Sequence, residues 1–87
     1  MEVRYLVRGG TIEKYHLIGE YYVPAIVTPL KIDEIKHDYE FDDLFEANYC
    51  KLCYNLKRGK QFKNYKGSKY YKRYVERLEL EYPEYLI

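Results

Sequence analysis

The chain has 87 residues, 33% of them charged, and a formal net charge of +1. A domain of this size buries roughly 60–65% of the surface its unfolded chain exposes, so its core is thin and its expected radius of gyration is about 12 Å. The longest uncharged run, residues 21–30, contains two prolines; it is too short for a bilayer span and wrongly placed for a signal peptide, so a soluble, cytoplasmic protein is expected.

In residues 2–8, Val3, Tyr5 and Val7 alternate with Arg4 and Arg8, the two-residue period of a half-buried strand. Gly9-Gly10 suits a hairpin turn, because glycine accepts positive φ without a steric penalty. A second strand covers residues 11–18 and Gly19 interrupts it. Residues 20–27 offer a third, which Pro24 confines to a sheet edge or a bulge. Thr28 and Pro29 suit the N-cap and first position of a helix. Residues 30–39 fit either a short helix or another strand.

A clearer helix follows. Phe45, Tyr49, Leu52, Cys53 and Leu56 fall at i, i+4, i+7, i+8 and i+11, which is one apolar helical face. Asp43 with Glu46 forms a capping box, and Gly59 stands where a terminating glycine belongs. Lys57 and Arg58 occupy the last turn, where the helix dipole favours cations. Ser68 is the expected N-cap of a second helix over residues 69–81. Its apolar face is Tyr71, Tyr74, Val75, Leu78 and Tyr82, and Pro83 stops it. The expected fold is α+β: an N-terminal antiparallel β-meander of about three strands packed against two C-terminal helices. The helices are antiparallel across the 60–67 loop and cover one face of the sheet, and residues 1–87 form a single compact domain.

The small net charge conceals a segregation. Residues 33–46 carry Asp33, Glu34, Asp38, Glu40, Asp42, Asp43 and Glu46 against Lys36 alone, whereas residues 51–73 carry nine bases and no acid. Within the basic stretch Lys57, Lys60, Lys63, Lys66, Lys69 and Lys72 recur at every third position, with Arg58 and Arg73 beside them. On an α-helix this period drifts by about 60° per step. On a strand it alternates faces. A broad basic lobe is therefore expected across the helix end, the loop and the next helix start. Such a lobe suits a sugar–phosphate backbone, where each neutralised phosphate releases counterions. Phe62, Tyr65 and Tyr70 add rings on which bases can stack. Alternatively, the stretch is a solvated loop whose lysines pair with the acidic segment. That segment in turn serves as helix caps and solvated surface, or as a rigid imitation of a phosphate backbone.

Other chemistries find weaker support. Cys50 and Cys53 form C-x-x-C well inside the first predicted helix, away from the N-terminus that would lower a thiol pKa. A closed zinc site needs four ligands and would require His16 and His37 as well. Core packing of Cys53 is the simpler expectation, with structural roles for both histidines. The single serine, Ser68, has no recognisable base partner for nucleophilic catalysis. Glu20, Glu34 and Lys36 loosely follow the acid and E-x-K pattern of metal-dependent nucleases, a spacing that arises readily by chance here. No catalytic residue, metal ligand or cofactor is therefore expected.

Thirteen tyrosines without a tryptophan supply ring area while keeping hydroxyls wet. With abundant Lys and Glu and one glutamine, the composition resembles that of hyperthermophile proteins. It also resembles that of small proteins from viruses infecting thermophilic archaea. The expected function is non-catalytic nucleic-acid binding, to DNA or RNA, by a small protein of viral or mobile-element type. Lys57, Arg58, Lys60, Lys63, Lys66, Lys69, Lys72 and Arg73 supply charge, and Phe62, Tyr65 and Tyr70 stack. The alternative is a viral module that binds or inhibits a host protein through its charged faces. No membrane partner is expected, the compartment would be the host cytoplasm, and the edge strand carrying Pro24 offers a homodimer contact.

Overall fold

Gly9 adopts φ 55° and, with Gly10, forms the two-residue turn joining β1 (Glu2–Arg8) to β2 (Thr11–Ile18), in a register that places Arg8 opposite Thr11. The computed structural model describes residues 2–24 and 28–86. Gly19, at φ 58°, makes the next tight turn into β3 (Tyr21–Val23). Two further strands complete an antiparallel sheet of order β4-β3-β2-β1-β5: β4 (Leu30–Lys31) beside β3, and β5 (Tyr39–Phe41) beside β1.

The meander is thus present and gains two short strands, β4 at the start of the ambiguous segment and β5 overlapping its end. Thr28 and Pro29 lead into β4 instead of opening a helix. The third strand stops at Val23, ahead of Pro24, and residues 25–27 of the expected strand lie outside the described residues. Nor is β3 the edge: Tyr21 and Tyr22 pair with Lys31 and Leu30, so β4 and β5 flank the sheet.

Neighbours on both sides make β1 the strand on which the sheet is built. Leu6 and Val7 point to opposite faces, as successive strand residues must, yet both are buried. Val7 shares a pocket with Tyr39 and the α1 side chains Tyr49 and Cys53, which marks its face as the one α1 (Leu44–Lys57) meets. Across the opposite face runs the segment from β4 to β5, through a 3₁₀ turn at Ile32–Glu34. Ile32 N–H donates to the Glu20 carbonyl, Asp38 N–H to the Val7 carbonyl, and the Arg8 guanidinium to the Lys36 carbonyl. His37 meets the buried Tyr22 ring edge-on at 6.3 Å, and Tyr15 meets it similarly at 5.7 Å.

The helices build their own core. Phe45, Tyr49, Leu52 and Leu56 of α1 pack with Tyr74 and Leu78 of α2 (Tyr71–Glu81) and with Phe62 of the intervening 3₁₀ turn, Phe62–Tyr65. Both expected apolar faces are there, with Cys53, Tyr71, Val75 and Tyr82 at the margin of this cluster. Packing against β1, β2 and β5 comes chiefly from α1. The helix pair therefore extends from the sheet instead of lying across it. The molecule measures 44 × 22 × 21 Å, with a radius of gyration of 14.8 Å where a compact globule of this length would give about 12 Å.

The caps follow the sequence in part. Asp43 accepts a bond from Phe45 N–H at 3.0 Å, as an N-cap should. Glu46 leaves the expected capping box and instead binds Arg77 on α2 at 2.9 Å, tying the helices together. At the other end Gly59, at φ 100°, sends its N–H to Leu56 and Lys60 sends its own to Asn55, both bonds of a Schellman motif. Ser68 is not the N-cap of α2, a position that falls to Tyr70, because the helix starts two residues later than expected. The Ser68 hydroxyl accepts from Tyr70 N–H at 3.2 Å, and α2 starts only at Tyr71.

Leu78→Ala should lower stability by about 2–5 kcal/mol, because Leu78 is fully buried between the helices. Glu79→Ala, one position on and exposed, should be near neutral; equal melting temperatures would mean the helical face is misassigned.

Alkali should unfold the protein through its tyrosines. Burial, then the Glu40 carboxylate, pushes the Tyr22 hydroxyl up to about 12, and burial raises Tyr49 and Tyr74 as well. Because an unfolded tyrosine ionises near pH 10, their contribution is complete below that pH and is lost as the pH rises through the folded values. Chemical denaturation between neutral pH and about pH 12 should show this decline, and stability that stayed level there would contradict it.

Candidate nucleic-acid interface

The basic stretch begins on α1 and is turned by Gly59. Lys60 follows the turn, and Asn64 and Lys66 N–H groups then donate to the Gln61 and Lys63 carbonyls, the three-residue spacing of a 3₁₀ helix. With three residues per turn, side chains at i and i+3 eclipse each other. Lys63 and Lys66 are thereby aligned, while Lys60 approaches them across the extended Gln61. Lys60, Lys63 and Lys66 all border one groove of about 670 Å³, together with Phe62, Tyr71, Tyr85 and Leu86; among the described residues Glu84 is its one acid.

The other bases diverge from this groove. Lys57 lies over the Tyr82 ring at 5.5 Å and Arg58 over Tyr54 at 5.3 Å, both around the end of α1. Lys69 covers Tyr70 at 5.0 Å, and Arg73 covers Phe45 at 3.8 Å. In each case the cation lies on a ring while its side chain stays largely in solvent. The basic residues therefore form several neighbouring patches, of which the 60/63/66 set shares a single groove.

All eight side chains (Lys57, Arg58, Lys60, Lys63, Lys66, Lys69, Lys72 and Arg73) are exposed. Among the described residues none of them forms an ion pair; the cationic partners are Arg4, His37 and Arg77. The acidic segment is occupied elsewhere. Glu34 accepts from Lys31 N–H at 3.1 Å, Asp38 from Gly9 N–H at 2.9 Å, and Asp43 caps α1. Glu40 pairs with Arg4 and His37, and Glu46 with Arg77. Internal neutralisation of the lysines by this segment is not what the fold adopts.

The three rings expected to stack bases serve the fold. Phe62 is buried, stacked on Tyr71 at 5.2 Å and on Tyr65 at 6.3 Å. Tyr65 accepts a bond from the buried Asn55 amide at 3.2 Å. Tyr70 meets Phe45 edge-on at 5.5 Å. Of the rings at the groove, Tyr71 appeared in the sequence only as a core-facing residue of α2. Tyr85 carried no local signal, since it lies beyond Pro83 and reaches the groove only because the last 3₁₀ turn, Pro83–Leu86, folds back.

Cys50 and Cys53 lie side by side on α1 and line a separate pocket of about 250 Å³ with Lys57 and Glu81. Burial pushes both thiols up, which favours the neutral thiol over the nucleophilic thiolate. Among the described residues no three His, Cys, Asp or Glu side chains converge as a metal-binding group. No helix among them is long and apolar enough to cross a membrane. Comparison with models of protein families, with curated proteins and with solved structures found no match.

Proposed function

We propose that this chain is a non-catalytic nucleic-acid-binding protein that contacts phosphates through its exposed basic stretch. One observation carries this reading: eight cations within residues 57–73 reach solvent without an acidic partner among the described residues, while five of the seven acids in residues 33–46 are held in caps, turns and ion pairs. An uncompensated cationic surface raises the local concentration of a polyanion and gains from counterion release. A second reading, docking on a host protein, draws on Leu80, a leucine 84% exposed on α2 beside Arg73, Glu76 and Arg77.

Salt dependence separates the two. If about five cations meet phosphates, duplex binding should weaken with a log–log salt slope near −4.5. Replacing Lys60, Lys63 and Lys66 together by alanine should flatten the slope by nearly three units and affect all sequences alike. Because these lysines are exposed and unpaired among the described residues, the triple variant should melt at the parental temperature. No binding to DNA or RNA at low salt, with flow-through on heparin, would leave the host-protein reading.

A further inference from the structure

We infer that the groove between the Phe62–Tyr65 turn and the C-terminal turn holds a single-stranded segment of nucleic acid, with phosphates on Lys60, Lys63 and Lys66, a base stacked on Tyr85, and Glu84 reading the base's amino group. This inference rests on the phosphate-binding reading above and adds a strand type and a base preference to it.

Spacing supports the phosphate track. At about 2 Å of rise per residue, Lys63 and Lys66 are separated by about 6 Å along the 3₁₀ turn, comparable with the repeat of successive phosphates on an extended strand; Lys60 precedes the turn, across the extended Gln61, and borders the same groove. The floor of the groove is apolar, formed by Phe62, Tyr71, Tyr85 and Leu86, and among the described residues its rim carries three cations against one carboxylate. Its volume, about 670 Å³, falls in the range of small-ligand sites, roughly 300–1,000 Å³. That is room enough for an unstacked nucleotide. A duplex offers phosphates to the outer cations but no ring face to this floor.

Tyr85 is the ring best placed to stack. Tyr71 already gives one face to Phe62 in near-parallel contact, at an interplanar angle of 14°. Tyr85 is half-buried, and its one ring contact among the described residues is Tyr82, tilted by 55° at 6.1 Å. Glu84 beside it would repel phosphate, which makes it a poor component of a purely electrostatic surface. An ionised carboxylate is an acceptor only. It can take a hydrogen bond from the amino group of cytosine or adenine, whereas thymine presents a carbonyl there. The groove should therefore prefer amino-bearing bases.

Fluorescence anisotropy on the intact chain at neutral pH tests this with short oligo(dC), oligo(dT) and a duplex. Oligo(dC) should bind more tightly than oligo(dT), and Glu84→Gln should narrow that gap by strengthening oligo(dT) binding. Equal binding of the two oligonucleotides by the parent protein would overturn the role given to Glu84. Tyr85→Leu should weaken single-strand binding roughly 5- to 150-fold while duplex binding stays within about twofold, since stacking needs an unpaired base; Tyr85→Phe should retain both. Lys63→Glu gives a comparison independent of core packing. It should weaken single-strand binding more than Lys72→Glu, which lies outside the groove. Equal losses from the two reversals, or unchanged single-strand binding by folded Tyr85→Leu, would overturn the groove while leaving phosphate binding intact. Failure of the parent to bind any of the three probes would overturn both.

Discussion

The C-terminal half of this protein depends on burying aromatic rings against α1. Phe62 and Tyr74 join Phe45 and Tyr49 in the buried cluster, with Tyr65, Tyr70 and Tyr71 packed around it. Each of these rings from Phe62 onward has a cation as a chain neighbour: Phe62 and Lys63, Tyr65 and Lys66, Lys69 and Tyr70, Tyr71 and Lys72, Arg73 and Tyr74. When the ring turns inward its neighbour is driven outward. The burial of apolar area, worth roughly 25 cal/mol per Å², thus arranges the charges of the surface. Core and basic stretch are two sides of one packing solution.

Electrostatics completes that division. Among the described residues Arg77 is the one late cation paired with carboxylates. It bridges Glu46 of α1 and Glu81 of its own helix, lies 4.6 Å over the Tyr49 ring, and has its pKa raised chiefly by those two carboxylates. The acids upstream are drawn to caps and to the strands they flank, at fixed positions close to their own backbone. Local duties of that kind leave few carboxylates able to reach residues 57–73. A net charge of +1 consequently coexists with a strongly positive surface at one end of an elongated molecule.

The hinge of the architecture is the contact between the first hairpin and α1. A Cβ at Gly9 would lie 3.3 Å from the Tyr54 ring, and one at Gly10 would lie 3.3 Å from the Asn55 side-chain oxygen. The glycines that make the turn also let it approach the helix. Asn55 continues inward to bond the Tyr65 hydroxyl, so one short path runs from the hairpin through α1 to the 3₁₀ turn that carries the lysines. Sheet and basic surface are connected through the middle of α1.

Both helices, the Gly9-Gly10 hairpin, the Asp43 cap and the Gly59 stop were legible in the sequence, because each is specified within a few residues by periodicity or by backbone preference. β4 and β5, at two and three residues, are too short for a period to show and exist through their pairing with β3 and β1. The fate of Phe62, Tyr65 and Tyr70 was equally hidden: a ring beside a lysine reads the same whether it faces a base or a core, and only the helix packed against it decides. The lysine period could be seen but not interpreted, since its meaning changes between 3.6 and 3.0 residues per turn. Tyr85 comes to the groove solely through the return of the C-terminal turn. Charge segregation and local structure were therefore written in the order of residues, while which side chains share a surface was settled by long-range packing, where distant segments compete to bury the same rings.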